Sequence, residues 1–242
     1  MSKLEAHIVR ISELASGTVE QMFNLFANYY DACSEAGFRA DLDDKDYVIL
    51  LEEGNNIQGF STAAHYKYMG ATGSVRILFS GDTIIARQYW GEQGLSRSFA
   101  KLAGWLKANH PEEPLYWFLI SKGHRTYRYL PLFAHIFYPH PQNCHTDGLA
   151  ALACDLAIQR FGDAYDTHDG VIRFVESRGQ LKGEWATIDE SALSRPELQF
   201  FLSKNPGFTE GHELVCLTEL IPANLRSVVR RAFLEGYTHG LG

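Results

Sequence analysis

The residues best placed to do chemistry lie between Val75 and Phe137 of this 242-residue chain. An apolar run, Val75-Arg76-Ile77-Leu78-Phe79, is interrupted by Ser80-Gly81-Asp82 and resumes at Thr83-Ile84-Ile85-Ala86. Arg87-Gln88-Tyr89-Trp90-Gly91-Glu92-Gln93-Gly94-Leu95-Ser96 follows, after which Phe99, Leu102 and Leu106 extend Leu95 along one helical face. Leu115 to Ile120 is a second apolar strand. The first amides of a helix lack intrahelical partners and carry the positive end of its dipole, and glycine lets a ligand come close to them. The order of strand, glycine turn, helix and strand therefore predicts a cradle for an anion, phosphate above all, at the carboxyl end of a strand. Arg87, Arg97 and Lys101 flank the turn, as phosphate partners or as ordinary solvated charges. Gly81 within the apolar run predicts either a bulge or a turn between two shorter strands.

Several elements must hold this stretch in place. Ala6 to Ile11 reads as a first strand. Thr18 and Gln21 have capping-box spacing ahead of a helix whose face carries Val19, Met22, Phe23, Phe26 and Tyr30. Asp41 to Asp46 reads as a solvated acidic loop or short helix, without the spacing of a calcium loop. Tyr47 to Glu53 and Ile57 to Met69 form an antiparallel hairpin about Gly54-Asn55-Asn56. Gly70-Ala71-Thr72-Gly73 turns the chain into the strand at Val75. A meander followed by strand–helix–strand excludes a doubly wound sheet, in which each strand would be followed by a helix.

Gly94-Leu95-Ser96 at the mouth of the helix, after the strand ending Ile84-Ile85-Ala86, resembles the acyl-CoA signature of the GNAT N-acyltransferases, Gln/Arg-x-x-Gly-x-Gly/Ala. Ser96 takes the second small position, and Gly91 stands where Gln or Arg is expected. The resemblance runs from about Ile8 to Tyr138. It implies an α/β fold, GNAT-like, with a mixed, mostly antiparallel sheet flanked by helices, here carrying a helix-rich C-terminal extension. It implies an acyl-CoA donor, acetyl-CoA or longer, and a small-molecule or peptide amine as acceptor, with no metal. The cofactor-binding set it implies is Ile85, Ala86, Arg87, Gly91, Gln93, Gly94, Leu95, Ser96 and Arg97, with the helix-mouth amides on the pyrophosphate. A side chain at Gly94 would then fill the phosphate position. The family's bulged strand places Asp82 toward the reacting centre, with Asp82 or His65 as base. Its fourth helix, here opening near Lys122, places a proton-donating phenol at Tyr129, with Tyr127 as substitute; Arg125 and Arg128, if close, would lower the Tyr129 pKa. Pro131 would kink or split that helix.

Beyond Tyr138-Pro139-His140-Pro141 the chain is less legible, and the unit boundary is placed here: residues 1–141 as the acyl-CoA-binding unit and 142–242 as an extension completing the same compact fold. Helices are expected from Leu149 to Phe161, behind a Ser194/Glu197 cap, and after Pro222; strands are expected at Val171 to Val175 and at Glu213 to Thr218. His135, His140 and His145 recur five apart beside Cys144, whereas paired helical ligands want three or four, so a zinc site is disfavoured. The Asp163, Asp166, Asp169 series reads as a solvated connection.

A formal charge of −7 argues against a nucleic-acid surface. No apolar run approaches the roughly 18 residues of a membrane span, and the start has no apolar h-region, which predicts a cytoplasmic protein. Four dispersed cysteines without a Cys-x-x-Cys predict reduced thiols. A homodimer is left open. So are two other functions: a catalytically idle acyl-CoA-binding or regulatory protein on the same scaffold, and an unrelated enzyme holding another phosphate ligand at the helix mouth.

Overall fold

The computed structural model describes residues 4–70, 73–142, 146–174, 180–188 and 193–241. The architecture is mixed α/β, a mostly antiparallel sheet flanked by helices. By contacts the chain divides into two compact units. The first comprises residues 1–28, 34–117 and 220–242, the second residues 29–33 and 118–219. Pro141 falls inside the second.

In the first unit, β1 (Glu5–Arg10), α1 (Ser16–Tyr29), α2 (Glu35–Asp43), β2 (Tyr47–Glu53), β3 (Asn56–Gly70), β4 (Gly73–Ile85) and α3 (Gly94–Asn109) follow in order. They lead into β5 (Leu115–Ser121), whose residues up to Trp117 group here. The strand order is β1-β2-β3-β4-β5. β1/β2, β2/β3 and β3/β4 are antiparallel, with Gly54 at φ 62° and Gly73 at φ 114° making the turns. β4 and β5 start side by side, the Arg76 N–H donating to the Pro114 carbonyl at 2.8 Å. With a helix crossing between them they therefore run parallel.

The sheet buries Val48, Ile49, Leu51, Phe60, Ile77 and Leu78. Leu95, Phe99, Leu102, Ala103 and Leu106 form the buried stripe of α3, one side of a 3.6-residue period. Phe38 of α2 joins Phe23, Phe26 and Phe60 in a ring cluster with centroids 5.4 to 6.0 Å apart. The last helix of the chain, Ser227–His239, packs across α3.

Several local expectations change. The Gln21 side chain does not cap its own helix; its Oε1 accepts from the Ile57 N–H at 3.2 Å. α1 ends at Tyr29, so Tyr30 lies outside it and Tyr29 is the buried ring. Of the two forms open to the acidic segment, its first half takes the helical one: α2 reaches Asp43, capped by the Ser34 side chain on the Gly37 N–H.

In the second unit, Pro131 has the expected effect. The segment after β5 forms two short helices, α4 (His124–Tyr127) and α5 (Tyr129–Phe133). There follow α6 (Asp147–Phe161), β6 (Tyr165–Asp166), β7 (Val171–Ile172), α7 (Pro196–Lys204) and β8 (Glu213–Glu219). The later residues of β5 lie beside β8, then β7 and β6. Proline opens α7, one residue after the expected start, with Arg195 at its N-cap. The final helix, α8, begins at Ser227 and not near Pro222. The expected strand at Val171 keeps two residues, and Val175 lies outside the described residues, as do Cys144 and His145.

Candidate functional site

The expected break in the apolar run is a bulge in one continuous strand. Ser61 pairs with Thr83 and Ala63 with Ser80, which leaves Thr62 opposite both Gly81 and Asp82. Two residues against one widen the twist and re-aim the strand. Side-chain bonds fix both shoulders: the Trp117 indole N–H donates to Ser80 Oγ at 2.9 Å in the core, and Ser61 Oγ lies 2.8 Å from Thr83 Oγ1.

Past the bulge, Gly59 faces Ile85, and the Ala86 N–H donates to the Gln58 carbonyl at 2.7 Å. Antiparallel ladders alternate, so the N–H and C=O of Ile85 point away from β3. The Ile85 carbonyl accepts the Trp90 indole N–H at 2.8 Å on that outer side. Of the two strand-end residues in the implied cofactor-binding set, Ile85 presents its backbone edge and Ala86 spends its amide within the sheet.

The connecting loop winds through a short 3-10 turn at Arg87–Tyr89, with Arg87 and Trp90 exposed. Gly91 has φ 100°, a conformation strained for any L side chain. That is the physical reason a Gln or Arg does not stand there: the loop turns left-handed at the position where the family's signature carries a long side chain.

Helix α3 starts at Gly94. Its first closed bond is the Arg97 N–H to the Gln93 carbonyl, 2.9 Å. The amides of Gly94, Leu95 and Ser96 thus precede the intrahelical ladder, Gln93 gives no side-chain cap, and no acidic residue sits in the first turn. Gly94 itself faces the sheet. A Cβ there would meet Leu51 Cδ2 at 3.4 Å and Ala6 Cβ at 3.8 Å. This corrects the expectation that a side chain at Gly94 would fill the phosphate position; it would enter the helix–sheet interface. Arg97 is exposed, one turn in. Lys101 is spent elsewhere, 3.3 Å from the Leu241 carbonyl and 3.8 Å from Glu235 Oε1.

His65 is not at the mouth. Its ring lies 5.8 Å from that of His110, which caps the other end of α3. Sixteen helical residues separate the two ends, about 24 Å at 1.5 Å per residue. Nε2 of His65 is buried without a partner among the described residues, and burial, with Arg76 and His110 adding to it, pulls its pKa down to about 4. Beside it Glu113 accepts from Ser74 Oγ and from Arg76 Nε, which hold its carboxyl down to about 2.

In the second unit the two tyrosines separate clearly. Tyr127 is 1% exposed, packed against Phe137, Phe200 and Phe201, and its hydroxyl donates to the Pro139 carbonyl at 2.9 Å. Tyr129 stacks edge-on with Phe133, and its hydroxyl has no hydrogen-bond partner among the described residues. Burial raises its pKa; Arg125 and Arg128 were expected to lower it only if close, and the Arg125 guanidinium is turned to the Trp185 carbonyl, 3.0 Å away. Asp166, His168 and Asp169 come within ligand distance of one another, on an exposed turn where Arg173 pairs with both carboxylates.

No family model matches the sequence, and no curated protein matches it. Solved structures similar to the chain include a probable N-acyltransferase of unknown function from Enterococcus faecalis V583, at 12% identity and a TM-score of 0.39 over 55% of this chain and 33% of that one. Another is the GNAT family N-acetyltransferase YhbS of Escherichia coli in complex with CoA, at 14% identity and 0.37 over 53% and 69%. A third is Escherichia coli ElaA, at 15% and 0.35 over 57% and 93%. The chain thus spans one third of the length of the Enterococcus protein. No helix among the described residues is long and apolar enough to cross a membrane.

Proposed function

We propose that the chain is an acyl-CoA-dependent N-acyltransferase that moves an acyl group to the amine of a small molecule or peptide. The observation that carries the reading is the end of β4: a bulged strand whose outward backbone edge leads through a left-handed glycine turn to three uncapped amides at Gly94, Leu95 and Ser96. Amides so placed suit a pyrophosphate, and the Ile85 N–H suits an amide carbonyl of the pantetheine arm. Arg87 and Arg97 supply positive charge on either side of the mouth. Asp82, at the bulge, is the proposed base for the acceptor amine. Tyr129, raised in pKa and so protonated at neutral pH, is the proposed acid for the departing thiolate. Tyr127 is not assigned this role, since its hydroxyl is committed to Pro139.

Gly91 favours a second reading, an idle acyl-CoA-binding protein on the same scaffold. Thiol release from acetyl-CoA or a longer acyl-CoA, followed across a panel of amines, separates the two. Amine-dependent release above the no-enzyme rate supports transfer, while CoA binding with no release on any amine supports the idle scaffold.

A further inference from the structure

Lys45 follows the C-terminus of α2, and its side chain is 0% exposed. Its ammonium lies 2.9 Å from both the main-chain oxygen and Oδ2 of Asp41, and 4.0 Å from Oδ2 of Asp44. Those carboxylates are themselves 49% and 61% exposed. An ammonium taken out of water with one well-placed half-exposed partner is a costly way to fill space, and an apolar chain of the same length would fill it without that cost.

What the Lys45 stem touches is the bulge. A Cβ on Gly81 would lie 2.7 Å from Lys45 Cε and 2.6 Å from Thr62 Oγ1. The backbone of Gly81 therefore rests directly on these two side chains, with the Phe79 ring 5.7 Å from the ammonium. Thr62 is 1% exposed, and its hydroxyl has no hydrogen-bond partner among the described residues. A buried cation, an unpartnered buried hydroxyl and a shift of strand register meet at one point, next to Asp82.

We infer that Lys45 is a positioning residue which, with Thr62, props the Gly81–Asp82 bulge and so sets where Asp82 stands. This rests on the acyl-transfer reading above. The hold of Asp41 on the ammonium fixes the stem, the stem fixes Gly81, and the bulge fixes the base. A side chain at Gly81 would have to displace these props, since they occupy its place.

Lys45→Met keeps the stem and removes the charge and its tether. The melting temperature should hold or rise, and CoA affinity should stay within about twofold. kcat should fall by about tenfold or more with the acyl-CoA Michaelis constant unchanged, and the Gly81 and Asp82 amide resonances should shift and exchange faster with solvent. A Lys45→Met protein with wild-type kcat, or with both amides unmoved, overturns the inference. Should that variant not fold, Asp41→Asn loosens the tether from a half-exposed position, and the same pair of readouts must move in the same direction. If the wild-type protein turns over no acyl-CoA, the acyl-transfer reading fails and the catalytic part of this inference with it; the amide readout then still decides whether Lys45 is the prop.

Discussion

Gly104 of α3 lies against the backbone of Phe233 in α8: a Cβ on Gly104 would come 1.8 Å from the Phe233 carbonyl oxygen. The relationship is reciprocal, since a Cβ on Gly236 would come 1.9 Å from the Lys101 carbonyl oxygen. Two glycines let the backbones of these helices touch, and α3, the helix whose mouth is the proposed cradle, is held by the last helix of the chain.

Gly104→Ala should therefore destabilise the protein by about 1–3 kcal/mol or more, because the helices must separate to admit a methyl group. Chemical denaturation checks this, and an unchanged midpoint would show that the helices do not touch. A chain ending at Glu219 loses α8 altogether and should aggregate or bind a hydrophobic dye; a cooperative melt for that fragment would mean that α3 stands without it.

The alternation of apolar residues, the glycine turns and the 3.6-residue stripe of α3 were legible in the sequence because each is set by local backbone geometry. The bulge was legible too, as one of two readings of a glycine in an apolar run. The fates of individual polar side chains were not. His65 looked like a strand histidine near the centre, yet it pairs with His110 about a helix length from the mouth. Gln21 looked like a cap and instead binds Ile57, 36 residues on. Lys45 stands in an Asp-Asp-Lys-Asp run, which reads as solvated, yet its side chain is fully buried against Gly81, distant in sequence. Side-chain partners across the sheet carry no local signal.

His65 makes acid stability a test of that geometry. Its folded pKa, about 4, is below the unfolded value of 6.5. The unfolded state then binds more protons between those values, so stability is full above about pH 6.5 and falls as pH drops toward 4. His65→Phe should flatten this part of the melting-temperature profile, and a profile as steep as the wild type's would place the titrating group elsewhere.

Thr62→Val removes a buried hydroxyl that has no partner among the described residues, and should raise stability by about 1 kcal/mol. Urea denaturation reads this directly. A loss of stability would mean that the hydroxyl is hydrogen-bonded in solution.

The two tyrosines should part in kinetics. Tyr129→Phe deletes a hydroxyl without a described partner and should lower kcat by roughly 10²-fold with the acyl-CoA Michaelis constant held. Tyr127→Phe strands the Pro139 carbonyl and should cost stability, about 1 kcal/mol, with kcat kept. The reverse pattern would transfer the acid role to Tyr127.

The claim on which all else depends is that the α3 mouth holds the phosphates of CoA, and calorimetric titration of CoA into the wild-type protein and Ser96→Asp measures it most directly. An acidic residue in the first turn of a helix stabilises it by about 0.3–1 kcal/mol, so Ser96→Asp should melt no lower than the wild type. The same carboxylate repels a pyrophosphate at the mouth, so CoA affinity should drop at least tenfold, about 1.4 kcal/mol. Wild-type protein that binds CoA and a Ser96→Asp protein that melts normally but binds it weakly are the predicted pair. CoA binding undiminished in Ser96→Asp, or absent from the wild type, would contradict the account.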